Sequence, residues 1–99
     1  MQQVTLGKPE SFERFPAEVK VEGREYYLIR HEGEYVLLSR KCPHSGYTVE
    51  VEGGELFCPL HGWTFDMESG QCLNVRSAAL ASYKVEVLDG LLVAELGER

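Results

Sequence analysis

Cys42-Pro-His44 and Cys58-Pro-Leu-His61 are the two segments of this chain whose residue types can do chemistry together. Thirteen residues separate His44 from Cys58. Thiolates and imidazoles are the natural ligands of soft and borderline metals. The chain has 99 residues, with three Cys and three His, and four of those six fall in the two arms. A structural zinc site usually takes like ligands in pairs, two Cys from one segment and two His from the next. Here each arm supplies one of each. That mixed arrangement suits a cluster of two unlike irons, each arm sending its Cys to one iron and its His to the other. A structural zinc domain built on the same four residues is the alternative.

The elements that must position these arms read as short strands. Glu18 to Val21 alternates apolar with polar, and Gly23 interrupts it. Glu25–Arg30 and Tyr35–Ser39 flank a turn at 31–34, which predicts a hairpin. Thr48–Val51 and Glu55–Phe57 flank Glu52-Gly53-Gly54, and Tyr83–Leu88 and Leu91–Leu96 flank Asp89-Gly90. Two strands separated by Asp-Gly form the strongest short-range hairpin signal in the chain. Helical periodicity is scarce. Ser77–Ala81 is the sole candidate, too short to stand alone, and reads as a turn. One all-β domain over residues 1–99 is expected, a small antiparallel sandwich or barrel, with Tyr26, Tyr27, Phe57 and Phe65 in its core.

The arms and their flanks resemble the Rieske family, whose pattern is Cys-x-His followed by Cys-x-x-His. The resemblance rests on Lys41-Cys-Pro-His-Ser-Gly46 and on Cys58-Pro-Leu-His-Gly-Trp-Thr-Phe-Asp66, with Gly70 beyond. It implies one [2Fe–2S] cluster held by Cys42, His44, Cys58 and His61, the two His replacing two Cys on one iron. It also implies a cluster-binding portion at about residues 40–70, two loops carried on the all-β base, with a hairpin between the arms. The spacing between the arms is shorter than is usual in the family, with the deficit after Tyr47. A shortened, differently covered loop is therefore expected there.

Respiratory and photosynthetic members of the family carry a disulfide near the cluster, and here its two places hold Tyr47 and Leu60. Where those members place hydroxyl side chains that bond to cluster sulfur and to a ligand, this sequence has Trp63 and Phe65. Fewer donors leave the reduced cluster less stabilised, so the potential is expected at the low end of the Rieske range, about −150 mV. Trp63 is expected to pack beneath the cluster loops.

Other function classes fit poorly. Ten Lys+Arg against 16 Asp+Glu give a net charge of −6, unsuited to nucleic acid or to an anionic membrane surface. No apolar run reaches the ~18 residues that span a bilayer, and no signal peptide is visible. The odd cysteine count argues against a disulfide scaffold and for a reducing compartment, the cytoplasm. Cys72, the remaining thiol, reads as a small buried hydrophobe. His31 reads as a solvated turn residue, and no second metal site can be built from what is left. The expectation is a non-enzymatic ferredoxin, a soluble monomeric electron carrier between a reductase and a terminal oxygenase or similar redox enzyme. Ser45, Gly46, Leu60 and Gly62 would form its contact rim. The alternative is a small subunit of a larger reductase of the nitrite reductase type.

Overall fold

In the computed structural model the structure describes residues 2–42, 47–60 and 62–96. Among these residues nine strands form two antiparallel sheets. The larger sheet contains β1 (Gln2–Gly7), β2 (Ala17–Val21), β3 (Arg24–His31), β4 (Glu34–Ser39), β8 (Ser82–Leu88) and β9 (Leu91–Leu96), in the order β1-β9-β8-β4-β3-β2. The smaller is β5 (Glu50–Glu52), β6 (Glu55–Phe57) and β7 (Thr64–Phe65), in that order. Among the described residues there is no α-helix, and Ser77–Ala81 is not one; a single 3-10 turn spans Pro9–Ser11. The nearly closed, barrel-like larger sheet gives the expected all-β base.

The three anticipated hairpins form, a fourth joins β2 to β3, and each turns in two residues. Glu22-Gly23, Glu32-Gly33, Gly53-Gly54 and Asp89-Gly90 each have positive φ at both positions. Two consecutive left-handed residues are the mirror-image turn whose twist matches that of paired strands. Registers follow at once: His31 faces Glu34, Glu52 faces Glu55, and Leu88 faces Leu91.

The largest boundary difference from the sequence expectation is at the start of β5, the other expected strand ends lying within one residue. Thr48 lies in an isolated bridge to Lys41, and regular pairing of β5 begins only at Glu50. The first arm takes Thr48 and Val49 for its own backbone bonds. The strand β1 was not anticipated. It pairs with β9 from Gln2↔Leu96 to Gly7↔Leu92, with a bulge between Thr5 and Gly7.

Apolar packing divides the molecule into two cores that share β3 and β4. Tyr26, Leu28 and Leu37 face one core with Val85, Leu92 and Ala94. Tyr27, Ile29 and Leu38 face the other with Val49, Leu56, Phe65 and Leu80. That is why Tyr26-Tyr-Leu-Ile29 does not alternate in polarity: all four are buried, on alternate faces of a sheet covered on both sides. Leu28, Leu37, Leu38 and Leu56 are fully buried, each worth about 2 kcal/mol of transfer free energy. Phe57, expected in the core, is half-buried.

Candidate metal centre

Residues 40–81 leave the larger sheet after β4 and return to it at β8, and both arms lie within them. Ser39 N–H donates to the Ala81 carbonyl at 2.8 Å, closing the base of the excursion. The first arm is pinned by the Lys41↔Thr48 bridge and by Val49 N–H donating to the Arg40 carbonyl at 2.7 Å. Cys42 N–H then donates to the Tyr47 carbonyl at 2.8 Å. The second arm follows β6, and there Cys58 N–H donates to the Trp63 carbonyl, also at 2.8 Å. Each cysteine therefore closes its loop on the residue five positions later. Gly62 N–H donates to the Cys58 carbonyl at 2.9 Å, tightening the second loop further.

Both side chains point into the core. Cys42 is 1% exposed and Cys58 0%, in one apolar cluster with Val49, Leu56 and Phe65. Two matched loops presenting buried sulfur from one core fit the inner half of a two-iron centre, because thiolate is a strong ligand and burial shields it from solvent. Pro43, His44, Ser45, Gly46 and His61 lie outside the described residues. Of the four expected ligands, the structure thus positions the two cysteines. On the rim, Leu60 is 58% exposed and Gly62 is exposed beside it.

Cys72 joins the same core, 3% exposed. Its N–H donates to the Ala78 carbonyl at 3.0 Å, and its sulfur accepts from Val75 N–H at 3.4 Å. The thiol is thus engaged by backbone, as suits a structural residue. Trp63 is partly buried against this core. His31 is half-exposed as expected, yet it has partners: Nδ1 lies 2.9 Å from Glu68 Oε2, and Nε2 lies 3.7 Å from Glu32 Oε2.

Several further residues hold the arms, of which Asp66 and Gly70 stand in the second motif block and Asn74 and Gln71 gave no sequence signal. Asn74 Oδ1 accepts from Thr64 N–H at 2.7 Å and from Thr64 Oγ1 at 3.2 Å, fastening the strand after the second arm. Asp66 Oδ2 accepts from Ser69 N–H at 3.0 Å and Ser69 Oγ at 2.8 Å. The turn so formed ends at Gly70, whose φ is +80°. A Cβ there would stand 3.2 Å from Leu38 Cδ2 and from the Leu80 carbonyl oxygen. Gly70 is the joint at which the excursion touches the base. Gln71 Nε2 donates to the carbonyls of Arg76 and Ala78, at 2.8 and 2.9 Å, and so organises the turn between them.

Arg40 was also missed. Its guanidinium is 12% exposed and lies 4.5 Å from the centre of the Tyr27 ring. Nη1 is 3.4 Å from Glu25 and 3.7 Å from Glu18, and Nε donates to the Val49 carbonyl at 3.1 Å. Burial pushes the Tyr27 hydroxyl pKa above its ordinary value, and the neighbouring Arg40 charge opposes that rise.

A fold of two antiparallel sheets with a buried cysteine in each of two matched loops defines a class, a β-domain that presents two thiols from paired loops. Comparison narrows the class. The family model for the Rieske [2Fe-2S] domain matches residues 2–84. The ferredoxin component of the alkene monooxygenase system of Xanthobacter autotrophicus is 35% identical over 71 residues, covering 67% of this chain and 57% of that protein. The chain thus spans a little over half the length of that relative. Among solved structures, the terminal oxygenase of carbazole 1,9a-dioxygenase from Novosphingobium sp. KA1 superposes with a TM-score of 0.74 at 22% identity, over 98% of this chain and 30% of that one. The ferredoxin of carbazole 1,9a-dioxygenase from Nocardioides aromaticivorans superposes with a TM-score of 0.67 at 21% identity, over 95% of this chain and 97% of that one. The chain belongs to the Rieske [2Fe-2S] domain family, and its cofactor is a Rieske-type cluster.

Proposed function

We propose that this protein is a one-electron carrier of the ferredoxin type, without catalytic activity of its own, working between a reductase and a terminal oxygenase or similar redox enzyme. The observation that carries the reading is the pair of matched loops with Cys42 and Cys58 buried in one core, in a chain whose relatives include a ferredoxin component of an oxygenase system. The bound cluster supplies a reversible one-electron couple. Cys42 and Cys58 hold it from the protein side, and His44 and His61 complete the ligand set. Burial of the two sulfurs excludes water from that side. The exposed side chain of Leu60 gives the second arm an apolar edge against which a partner can pack, suited to the small transient interfaces of redox encounters. The net charge of −6 steers toward a basic patch on that partner. Cytoplasmic location and a monomeric state belong to the same reading; no helix among the described residues is long and apolar enough to cross a membrane.

The test is an EPR spectrum of the dithionite-reduced protein, together with iron and acid-labile sulfide counts and a redox titration. The expected result is a Rieske-type signal, equal iron and sulfide, and a midpoint near the low end of the family range, about −150 mV. Zinc without labile sulfide would reject the reading. A midpoint well above zero would remove the low-potential part of it. Electron delivery to an oxygenase in a reconstituted reductase–ferredoxin–oxygenase mixture then tests the partner class.

A further inference from the structure

We propose that Arg40 is the positioning residue of the first arm and that its charge, set against Glu25, tunes the reduction equilibrium of the cluster. The inference rests on the reading above in taking Cys42 as a ligand. Two Cα–Cα steps of 3.8 Å keep the Arg40 and Cys42 backbones within about 7.6 Å of each other. Both residues line the same cavity of about 730 Å3, between the larger sheet and the first arm.

Arg40 ties three parts of the molecule together, through main-chain bonds that do not depend on its side chain and through side-chain contacts that a shorter or neutral side chain cannot all make. Its backbone N–H donates to the Glu25 carbonyl at 3.1 Å, anchoring it to β3. Its carbonyl accepts from Val49, and its Nε donates back to the Val49 carbonyl. Those reciprocal bonds close the far side of the loop that carries Cys42. The guanidinium stacks on Tyr27, which belongs to the core shared with Cys42 and Cys58.

The charge of Arg40 acts on the cluster as well as on the fold. Each reduction adds one electron, and hence one negative charge, to the centre. A fixed cation nearby favours that state and a fixed anion opposes it. Arg40 is 12% exposed and Glu25 47%, so the cation is less screened by solvent than its carboxylate partner. Glu18, at 72%, is screened more again. Removing Arg40's charge therefore disfavours reduction, and removing Glu25's charge favours it.

The experiment is a dithionite redox titration of the cluster-loaded full chain as wild type, Arg40→Gln, Arg40→Lys and Glu25→Gln, at two ionic strengths, with thermal unfolding of each. Arg40→Gln is expected to lower the reduction equilibrium constant about tenfold, or 59 mV for one electron. Glu25→Gln is expected to raise it about threefold, with a shift that shrinks more in high salt. Arg40→Lys retains the charge and so stays within about threefold of wild type, yet it loses the Nε bond and the planar stack, and its unfolding temperature falls. A purely structural Arg40 would leave no opposed pair of shifts. An unchanged equilibrium constant in a loaded Arg40→Gln protein, or a downward shift in Glu25→Gln, overturns the proposal. Should Arg40→Gln not hold the cluster, Glu25→Gln decides alone: a rise upholds the proposal and no change sinks it. A wild-type chain without a Rieske signal would instead mark failure of the electron-carrier reading.

Discussion

The larger sheet and the excursion at 40–81 hold their shapes by different means. The larger sheet has six strands of five to eight residues, ladders broken only by the β1–β9 bulge, and two-residue turns that fix register. The smaller sheet has strands of three, three and two residues. Its order comes from single backbone bonds at Cys42, Cys58, Gly62 and Gly70 and from side-chain clasps at Asn74, Asp66 and Gln71, to which the proposed metal centre would add a tie between the arms. A short sheet of this kind is marginal by itself. The base therefore supplies stability and the excursion borrows it, through the core under β3 and β4 and through the joint at Gly70.

The harshest way to break that contrast is to remove a proposed ligand. Cys42→Ser or Cys58→Ser should abolish the EPR signal and visible absorbance, while far-UV circular dichroism retains the β signature of the base. Wholesale unfolding of either variant would mean that the base depends on the metal. Next in size comes the joint. Gly70→Ala adds a Cβ at 3.2 Å from its neighbours to a strained φ, so about 3 kcal/mol should be lost in urea unfolding. Gly33 is its control, with a φ of +81° and nothing within 4 Å of an added Cβ, so Gly33→Ala isolates the backbone strain at about 1 kcal/mol. Equal costs at the two glycines would remove the joint from the argument.

A subtler probe is pH. The Tyr27 hydroxyl ionises at higher pH in the folded chain than in the unfolded one, because burial disfavours the phenolate. The native state thus holds its proton longer. Its contribution is fully present below about pH 10 and is lost as pH rises through the folded value. Tyr27→Phe should flatten the alkaline end of the stability curve, and an unaltered slope there would discount the burial effect. The smallest change is expected at His31, whose contacts to Glu68 and Glu32 are between half-exposed or exposed groups. His31→Ala should alter stability by less than about 1 kcal/mol.

Much of this was legible because local chemistry dictated it. Asp89-Gly90 and Gly53-Gly54 specify mirror-image turns whatever surrounds them, and mixed Cys/His arms specify the ligand type before any fold is known. What stayed hidden depends on contacts distant in sequence. β1 shows only a brief alternation at Val4 and Leu6, and becomes a strand because β9 lies beside it. Arg40 reads as one more surface charge until Tyr27, Glu25 and Val49 gather around it. Asn74 reaches back ten residues to Thr64, which no periodicity announces. The backbone bonds that pair Cys42 with Tyr47 and Cys58 with Trp63 belong to the same group, since spacing alone does not say which amide closes a loop.

Strands β4 and β8 are immediate antiparallel neighbours, with Leu38 facing Ser82. Both cysteine loops are therefore inserted where a hairpin turn would suffice. Stretching that turn from two residues to the forty-two at 40–81 costs only about 2.7 kcal/mol of closure entropy. The excursion can therefore differ in length at little entropic cost while β4 and β8 keep their register, provided that Tyr27, Ile29 and Leu38 remain covered.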